Sequence, residues 1–255
     1  MATRAGTYIV LKSPREIELM RSAGKIVAQT LALVKERVRP GVTTADLDRF
    51  AEAAVRKEKA IPSFKGYRNF PASLCLSVNE QIVHGIPGKR VLKVGDIVSI
   101  DLGVIYQGYQ GDAAVTVGVG EISPVAEKLL VDTQAALDVG LRQITVGRHL
   151  GDVSYAIELF AREHGYGLVR EYVGHGIGRE MHEDPQVPNF GEPGKGPALK
   201  PGMTLAIEPM LNIGGDETER LADGWTVVTK DRSLSAHFEH TVAVTNNGPD
   251  VLTKL

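Results

Sequence analysis

A single cysteine, Cys75, is present among 255 residues. No disulfide can form within the chain, and so sparing a use of thiols points to a reducing compartment. The N-terminal stretch "MATRAGTYIVLKSPREIEL" lacks the apolar core of about 7–15 residues that marks a secretory leader. No apolar run approaches the ~18–20 residues of a membrane-spanning helix. Net charge is only −2, which gives no sign of a sequence-independent polyanion partner, and no nucleic-acid motif is present. No Gly-, Pro- or Ser-rich linker separates domains. What remains is 43% hydrophobic and 24% charged, ordinary for a globular protein and long enough for a substantial core. The expectation is a cytoplasmic protein.

The chain reads as two passes of helices followed by strands. In "SPREIELMRSAGKIVAQTLALVKERV", Ser13 and Glu16 form a capping box and Pro14 takes the first helical position. Ile17, Met20, Ile26, Val27, Leu31 and Val34 recur at helical spacing. A second helix follows "RPGVTTAD", with Leu47, Phe50, Ala51, Ala54 and Val55 on one face. Strand signals run from about Ser73 to Val117. Ser123-Pro124 then opens another helix, "VGRHLGDVSYAIELFAREHGYG" a further one, and strands continue to about Thr245. Gly147, Asp152 and Val153 stand 106 positions after Gly41, Asp46 and Leu47, which raises a duplicated α+β half without deciding it. "NFGEPGKGPALKPG" reads as a surface loop.

Within this frame "EYVGHGIGREMHEDPQV" is unusual: two histidines seven residues apart, with glycines around the first. It is not a zinc-protease helix of the H-E-x-x-H type. The fifth position is Gln186, and Pro185 breaks the helix that would put two histidines on one face. Further metal ligands, if any, must come from elsewhere.

Four acids are candidates. In "DIVSIDLGVIYQGYQGDAAVTVGVG", Val98, Ile100 and Leu102 alternate with Ser99, Asp101 and Gly103. After a turn at "YQG", Tyr109, Val115 and Val117 alternate with Gln110, Asp112 and Thr116. A suitable register puts Asp101 and Asp112 on one face within about 5–8 Å. Glu208 in "GMTLAIEPM" and Glu239 in "SAHFEHTVAV" read the same way, each on the polar side of a strand. A lone acid on a strand is ordinarily solvated, but carboxylates are disfavoured in strands and here the pattern recurs. Four inward carboxylates raise one another's pKa unless a cation joins them. No lysine or arginine lies within a few residues of any of the four, so the economical cation is a metal.

The ordered set "SIDLGV", "QGDAA", "GHGIG", "AIEPM" and "FEHTV" resembles type I methionine aminopeptidases over nearly the whole chain. The resemblance implies an α+β pita-bread fold of two pseudo-symmetric halves (about 13–120 and 121–250) around a central curved antiparallel sheet. These would form one catalytic domain over 1–255, with a short N-terminal extension over about 1–12. It implies two divalent ions (Mn, Fe, Co or Zn) held by Asp101, Asp112, His175, Glu208 and Glu239. Two such ions bring four positive charges against four carboxylates, with neutral His175 as the only nitrogen donor; this ligand set does not choose among those metals. By the same resemblance His84 and His182 are catalytic and contact substrate. Glu208 shuttles a proton. Phe64, Tyr67, Phe70, Cys75, Met181 and Trp225 line a methionine pocket. "SFKGYRNF" packs three aromatics into eight residues of a chain that is 5% aromatic. Cys75 has no basic neighbour and reads as a soft wall, not a nucleophile. His149, His164, His237 and His240 receive no role.

The implied activity removes N-terminal methionine from nascent chains and peptides whose second residue is small. A proline-specific exopeptidase of the same fold is the alternative, and a non-catalytic binding protein on this scaffold is disfavoured by the intact ligand set. A two-metal phosphoesterase lacks a basic phosphate clamp near the acids. The expected partners are nascent N-termini, with transient ribosome contact left open; the expected state is a monomer.

Overall fold

The computed structural model describes residues 8–255; part of the expected N-terminal extension, 1–7, lies outside the described residues. Helix α1 (Pro14–Lys35) starts as its sequence demands. Ser13 Oγ accepts from Glu16 N, and Glu16 Oε2 accepts from Ser13 N at 2.8 Å. Helix α2 (Thr44–Lys57) repeats the device with Thr43 and Asp46. Their apolar faces pack on the first sheet and bury Met20, Val27, Val34, Leu47, Ala51 and Val55. Each such side chain taken from water contributes about 1.5–3 kcal/mol, less for alanine.

The first sheet is built on two ten-residue strands, β4 (Ile97–Tyr106) and β5 (Tyr109–Gly118), preceded by β1 (Ile61–Pro62), β2 (Cys75–Val78) and β3 (Gln81–Val83). The hairpin turn is Gln107-Gly108, with φ of +49° and +80°. Two consecutive positive φ values match the twist of the flanking strands, and glycine at the second position meets that demand without strain. That turn fixes the register: Asp101 faces Ala114 and Gly103 faces Asp112. The two aspartates therefore share one face on a diagonal. This polar face is not turned to water: Ser99, Asp112 and Thr116 are all buried. On its other edge β4 takes β2 and then β1.

The second half opens with α3 (Pro124–Leu141), capped by Ser123, and α4 (Leu150–Glu163), where His149 N donates to Asp152 at 2.8 Å. Ten short strands follow: β6 (Gly167–Leu168), β7 (Gly174–Gly176), β8 (Glu183–Val187), β9 (Thr204–Ile207), β10 (Met210–Asn212), β11 (Thr218–Arg220), β12 (Val227–Thr229), β13 (Ser235–His237), β14 (His240–Thr245) and β15 (Gly248–Val251). They run β15-β14-β9-β7-β8 in one sheet, β13-β10-β6 in another, and β11-β12-β3 in a third, with every pairing antiparallel. The strand signals thus extend past Thr245, because "GPDV" pairs back on β14.

The halves correspond beyond the residues noted in sequence. Arg37 N donates to Val34 O and Gln143 N to Gly140 O, both ending helices at matching places. Isolated bridges join Thr43 to Val91 and His149 to Ala198. The fold is the two-halved pita-bread α+β architecture, and each half carries its own apolar core.

Besides the β3–β12 pairing, the halves meet along a seam at β5. Glu239 N donates to Ala114 O at 2.9 Å and Ala114 N to Glu239 O at 3.4 Å. On either side threonine hydroxyls take the place of backbone groups. Thr116 Oγ1 accepts from His237 N and donates to His237 O; Thr241 Oγ1 accepts from Asp112 N and donates to Asp112 O, all within 2.8–3.0 Å. Buried backbone groups near the centre are satisfied this way while β5 approaches the second half.

Candidate metal centre and active site

The two glutamates do not sit inside strands as the alternation implied. Glu208 follows the last residue of β9, and Glu239 occupies the gap between β13 and β14. Pro209 has no N–H with which to continue a ladder. The register on either side, His240 with Ile207 and His237 with Met210, nevertheless places Glu208 opposite Glu239. A pair of acids facing each other at a break in the sheet thus meets the Asp101–Asp112 diagonal across the seam.

His175 enters from β7. Gly174 and Gly176 flank it because a Cβ at either would overlap a carbonyl oxygen, of Ala206 and of Asp184 respectively. Neither glycine adopts a positive φ, so close approach and not unusual dihedrals explains this pair. His175 Nδ1 lies 2.9 Å from Gly176 O, an arrangement in which the Nδ1–H donates and Nε2 keeps its lone pair. Nε2 lies 3.7 Å from Glu208 Oε1. Donor atoms of Asp112, His175 and Glu239 all fall within 4.8 Å of one another.

The electrostatics of the cluster favour a cation among these groups. Burial pushes the Asp101, Glu208 and Glu239 carboxyls well above the usual range, and the neighbouring carboxylates push them further. Burial lifts Asp112 to about 7 against hydrogen bonds from Asp101 and the Ala113 N–H. His175 is held neutral, down to about 4, by burial and then by nearby His182. Asp101 Oδ1, Asp112 Oδ1 and Glu239 Oε1 are buried without a hydrogen-bond partner among the described residues. Unpartnered buried oxygens of this kind cost free energy unless a cation takes them. Oxygen-rich donors with one imidazole fit a divalent metal ion.

The cluster lines a cavity of about 280 Å³. Every residue singled out in the sequence lines it: the five candidate ligands, His84, His182, Phe64, Tyr67, Phe70, Cys75, Met181 and Trp225. Part of the lining is apolar, with Phe70 edge-on to Trp225 at 5.1 Å. Cys75 is buried there, and burial, then Asp101 and Asp112, push its thiol up. His84 has φ +59°, an uncommon conformation for a side-chain-bearing residue, and its ring meets Tyr172 edge-on at 5.6 Å. Burial holds His84 down at about 4. His182 lies 4.3 Å ring to ring from His175, and its Nδ1 is 2.8 Å from the Tyr67 hydroxyl.

Six lining residues were not assigned from sequence, Arg68, Val83, Glu171, Tyr172, Val173 and His237. His237 Nε2 is buried, unpartnered, and 3.7 Å from Glu208 Oε2. Its alternation with Glu239 and Thr241 carried that signal. Tyr172 and Arg68 also line the cavity, and nothing local in the sequence distinguishes them.

Residues 18–246 match metallopeptidase family M24. The chain is 55% identical over 246 residues to the methionine aminopeptidase of Clostridium acetobutylicum, covering 96% of this chain and 98% of that one. The chain belongs to family M24, among its methionine aminopeptidases. The crystal structure of a family member, the methionine aminopeptidase of Thermotoga maritima, superposes with a TM-score of 0.96 at 47% identity, covering 97% of this chain and all of that one. The prolidase of Pyrococcus furiosus shares the family fold at TM-score 0.80 and 23% identity, and this chain covers only 66% of it. The family's metal dependence accounts for the orphaned carboxylates. No helix among the described residues is long and apolar enough to cross a membrane.

Proposed function

We propose that this chain is a methionyl aminopeptidase, one catalytic domain acting as a cytoplasmic monomer on nascent N-termini with a small second residue. The observation that carries the reading is the cavity itself. Carboxylates and imidazoles line it side by side with aromatic, thiol and thioether side chains, within about 280 Å³. Such a lining suits one apolar side chain held beside a hydrolytic centre. Phe64, Tyr67, Phe70, Cys75, Met181 and Trp225 take the methionine side chain.

Asp101, Asp112, His175, Glu208 and Glu239 are the residues that would hold two divalent ions of the Mn, Fe, Co or Zn class. Bound there, such ions neutralise the cluster, polarise a carbonyl and acidify water. The chain's own groups do the rest. The Tyr67 hydroxyl lies 2.8 Å from His182 Nδ1; in the tautomer where that hydroxyl donates, the His182 Nε2–H is left to donate to the carbonyl oxygen as it gains charge. Neutral His84, fixed by its backbone and by Tyr172, orients the scissile amide. Glu208, flanked by His175 and His237, carries a proton towards the leaving amine.

The test compares hydrolysis of Met-Gly-x and x-Pro peptides by metal-reconstituted protein. Cleavage of the first and not the second is expected; the reverse would establish the proline-exopeptidase alternative. His84→Ala and His182→Ala should each keep their metal, by elemental analysis, and lose roughly 10²–10⁴ in turnover.

A further inference from the structure

His182 sits on the six-residue loop Ile177–His182 that links β7 to β8. The loop has few apolar anchors; Ile177 and Met181 are buried, but Arg179, Glu180 and His182 are exposed. Its shape is set by the residue immediately after His182. Glu183 Oε1 accepts from Arg179 N at 2.9 Å and from Glu180 N at 3.3 Å, closing the loop on itself. The other oxygen, Oε2, pairs with Lys12 Nζ.

Lys12 is an unusual partner. It lies ahead of α1, 171 positions away in sequence, and its side chain is only 4% exposed, against 12% for Glu183. Its backbone is pinned by donation from Lys12 N to Gly202 O at 2.7 Å. Its ammonium also donates to Val10 O at 3.1 Å. Gly178 is glycine where the pair crosses the loop: a Cβ there would overlap both the Lys12 stem and the Glu183 carboxylate. From the other side, Gln110 N donates to Gly178 O at 2.8 Å.

A buried ion pair is a poor source of net stability, because desolvation consumes most of the attraction. What it supplies is a fixed geometry, since both charges are satisfied in only one arrangement. We infer that Lys12 and Glu183 form a positioning pair that holds His182 at the cavity, so that the segment before α1 takes part in catalysis without touching substrate. A misplacement of about 1 Å in a catalytic group costs up to about 10²-fold in rate. The inference rests on the proposed catalytic role of His182.

The test uses the full-length, metal-reconstituted chain. Lys12→Met alone strands a buried carboxylate and risks unfolding, so the informative variant is the double change Lys12→Met with Glu183→Gln. It removes both charges, and the carbonyl oxygen of the introduced side-chain amide still accepts the two loop N–H groups. Turnover should fall about 10-fold or more with KM within about twofold and the melting temperature close to wild type. In a His182→Ala background the same double change should cost less than about twofold, since the group it positions is gone. In metal-free protein the His182 imidazole NMR resonances should shift while those of the remote, exposed His164 stay. Equal losses in both backgrounds, or no loss in the first, overturn the inference. Full turnover in His182→Ala itself would sink the catalytic reading of that histidine and the inference with it.

Discussion

The two halves of the molecule obey the same rules up to their helices and part company at the site. Both begin with a Ser-Pro helix start, both cap a second helix with an acid at its third position, and both end their first helix with the same turn. The first half then offers its acids from an unbroken hairpin, where the turn alone sets the Asp101–Asp112 diagonal. The second half offers Glu208 and Glu239 from a break in the ladder, and His175 from a strand squeezed between two carbonyls. A hairpin places acids with little disruption but only on a flat face. Interrupted strands let the backbone turn two more carboxylates and an imidazole towards the same point, and they leave groups that the ladder no longer satisfies.

The comparison breaks most completely at the centre. His175→Ala removes the single imidazole among the candidate ligands, and Asp112→Asn removes a first-half carboxylate. Each should abolish metal retention, and activity should fall by at least about 10³-fold, comparable to losing a main transition-state stabiliser. Chelation should match these losses, with recovery on adding Mn²⁺, Fe²⁺ or Co²⁺ to wild type. A metal-free preparation with full activity would overturn the metal reading of both halves.

The seam should respond next. Thr241 is fully buried and its hydroxyl both accepts from Asp112 N and donates to Asp112 O. Thr241→Val keeps the shape and orphans both backbone groups, so stability should fall by about 1–3 kcal/mol in denaturant unfolding. A change below about 0.5 kcal/mol would mean that the halves do not depend on this hydroxyl.

The smallest effect separates the helix starts. Glu16 in α1 is held down to about 2, first by the Tyr109 hydroxyl at 2.7 Å and then by Ser13. Helix α3 has Ala126 at the matching place. A depressed carboxyl contributes stability that is present above its unfolded value of 4.5 and fades as pH falls towards about 2. Glu16→Gln should therefore flatten the stability profile between those limits, leaving the variant somewhat less stable than wild type near neutrality and converging with it at the acid end; an unaltered acid limb would count against this pairing.

Much of the site was legible because its motifs are local. The capping boxes, the Asp101–Asp112 hairpin and the glycines beside His175 each depend on residues a few positions apart. The glutamates were legible in kind and wrong in setting: alternation put them inside strands, whereas Pro209 and the gap before His240 take them out. His237 was visible in the alternation with Glu239 but had no meaning until its Nε2 proved to face Glu208.

The sequence by itself determined the helices, the register of the central hairpin and the set of residue types able to bind a cation. Capping, turn geometry and strand alternation act over two to four positions and need no partner. Only the tertiary structure decided that Glu208 faces Glu239, that Thr116 and Thr241 stitch the halves together, and that Lys12 reaches across 171 positions to Glu183. Those pairings are chosen by which buried polar groups can find partners once both halves have closed, and no local pattern records that choice.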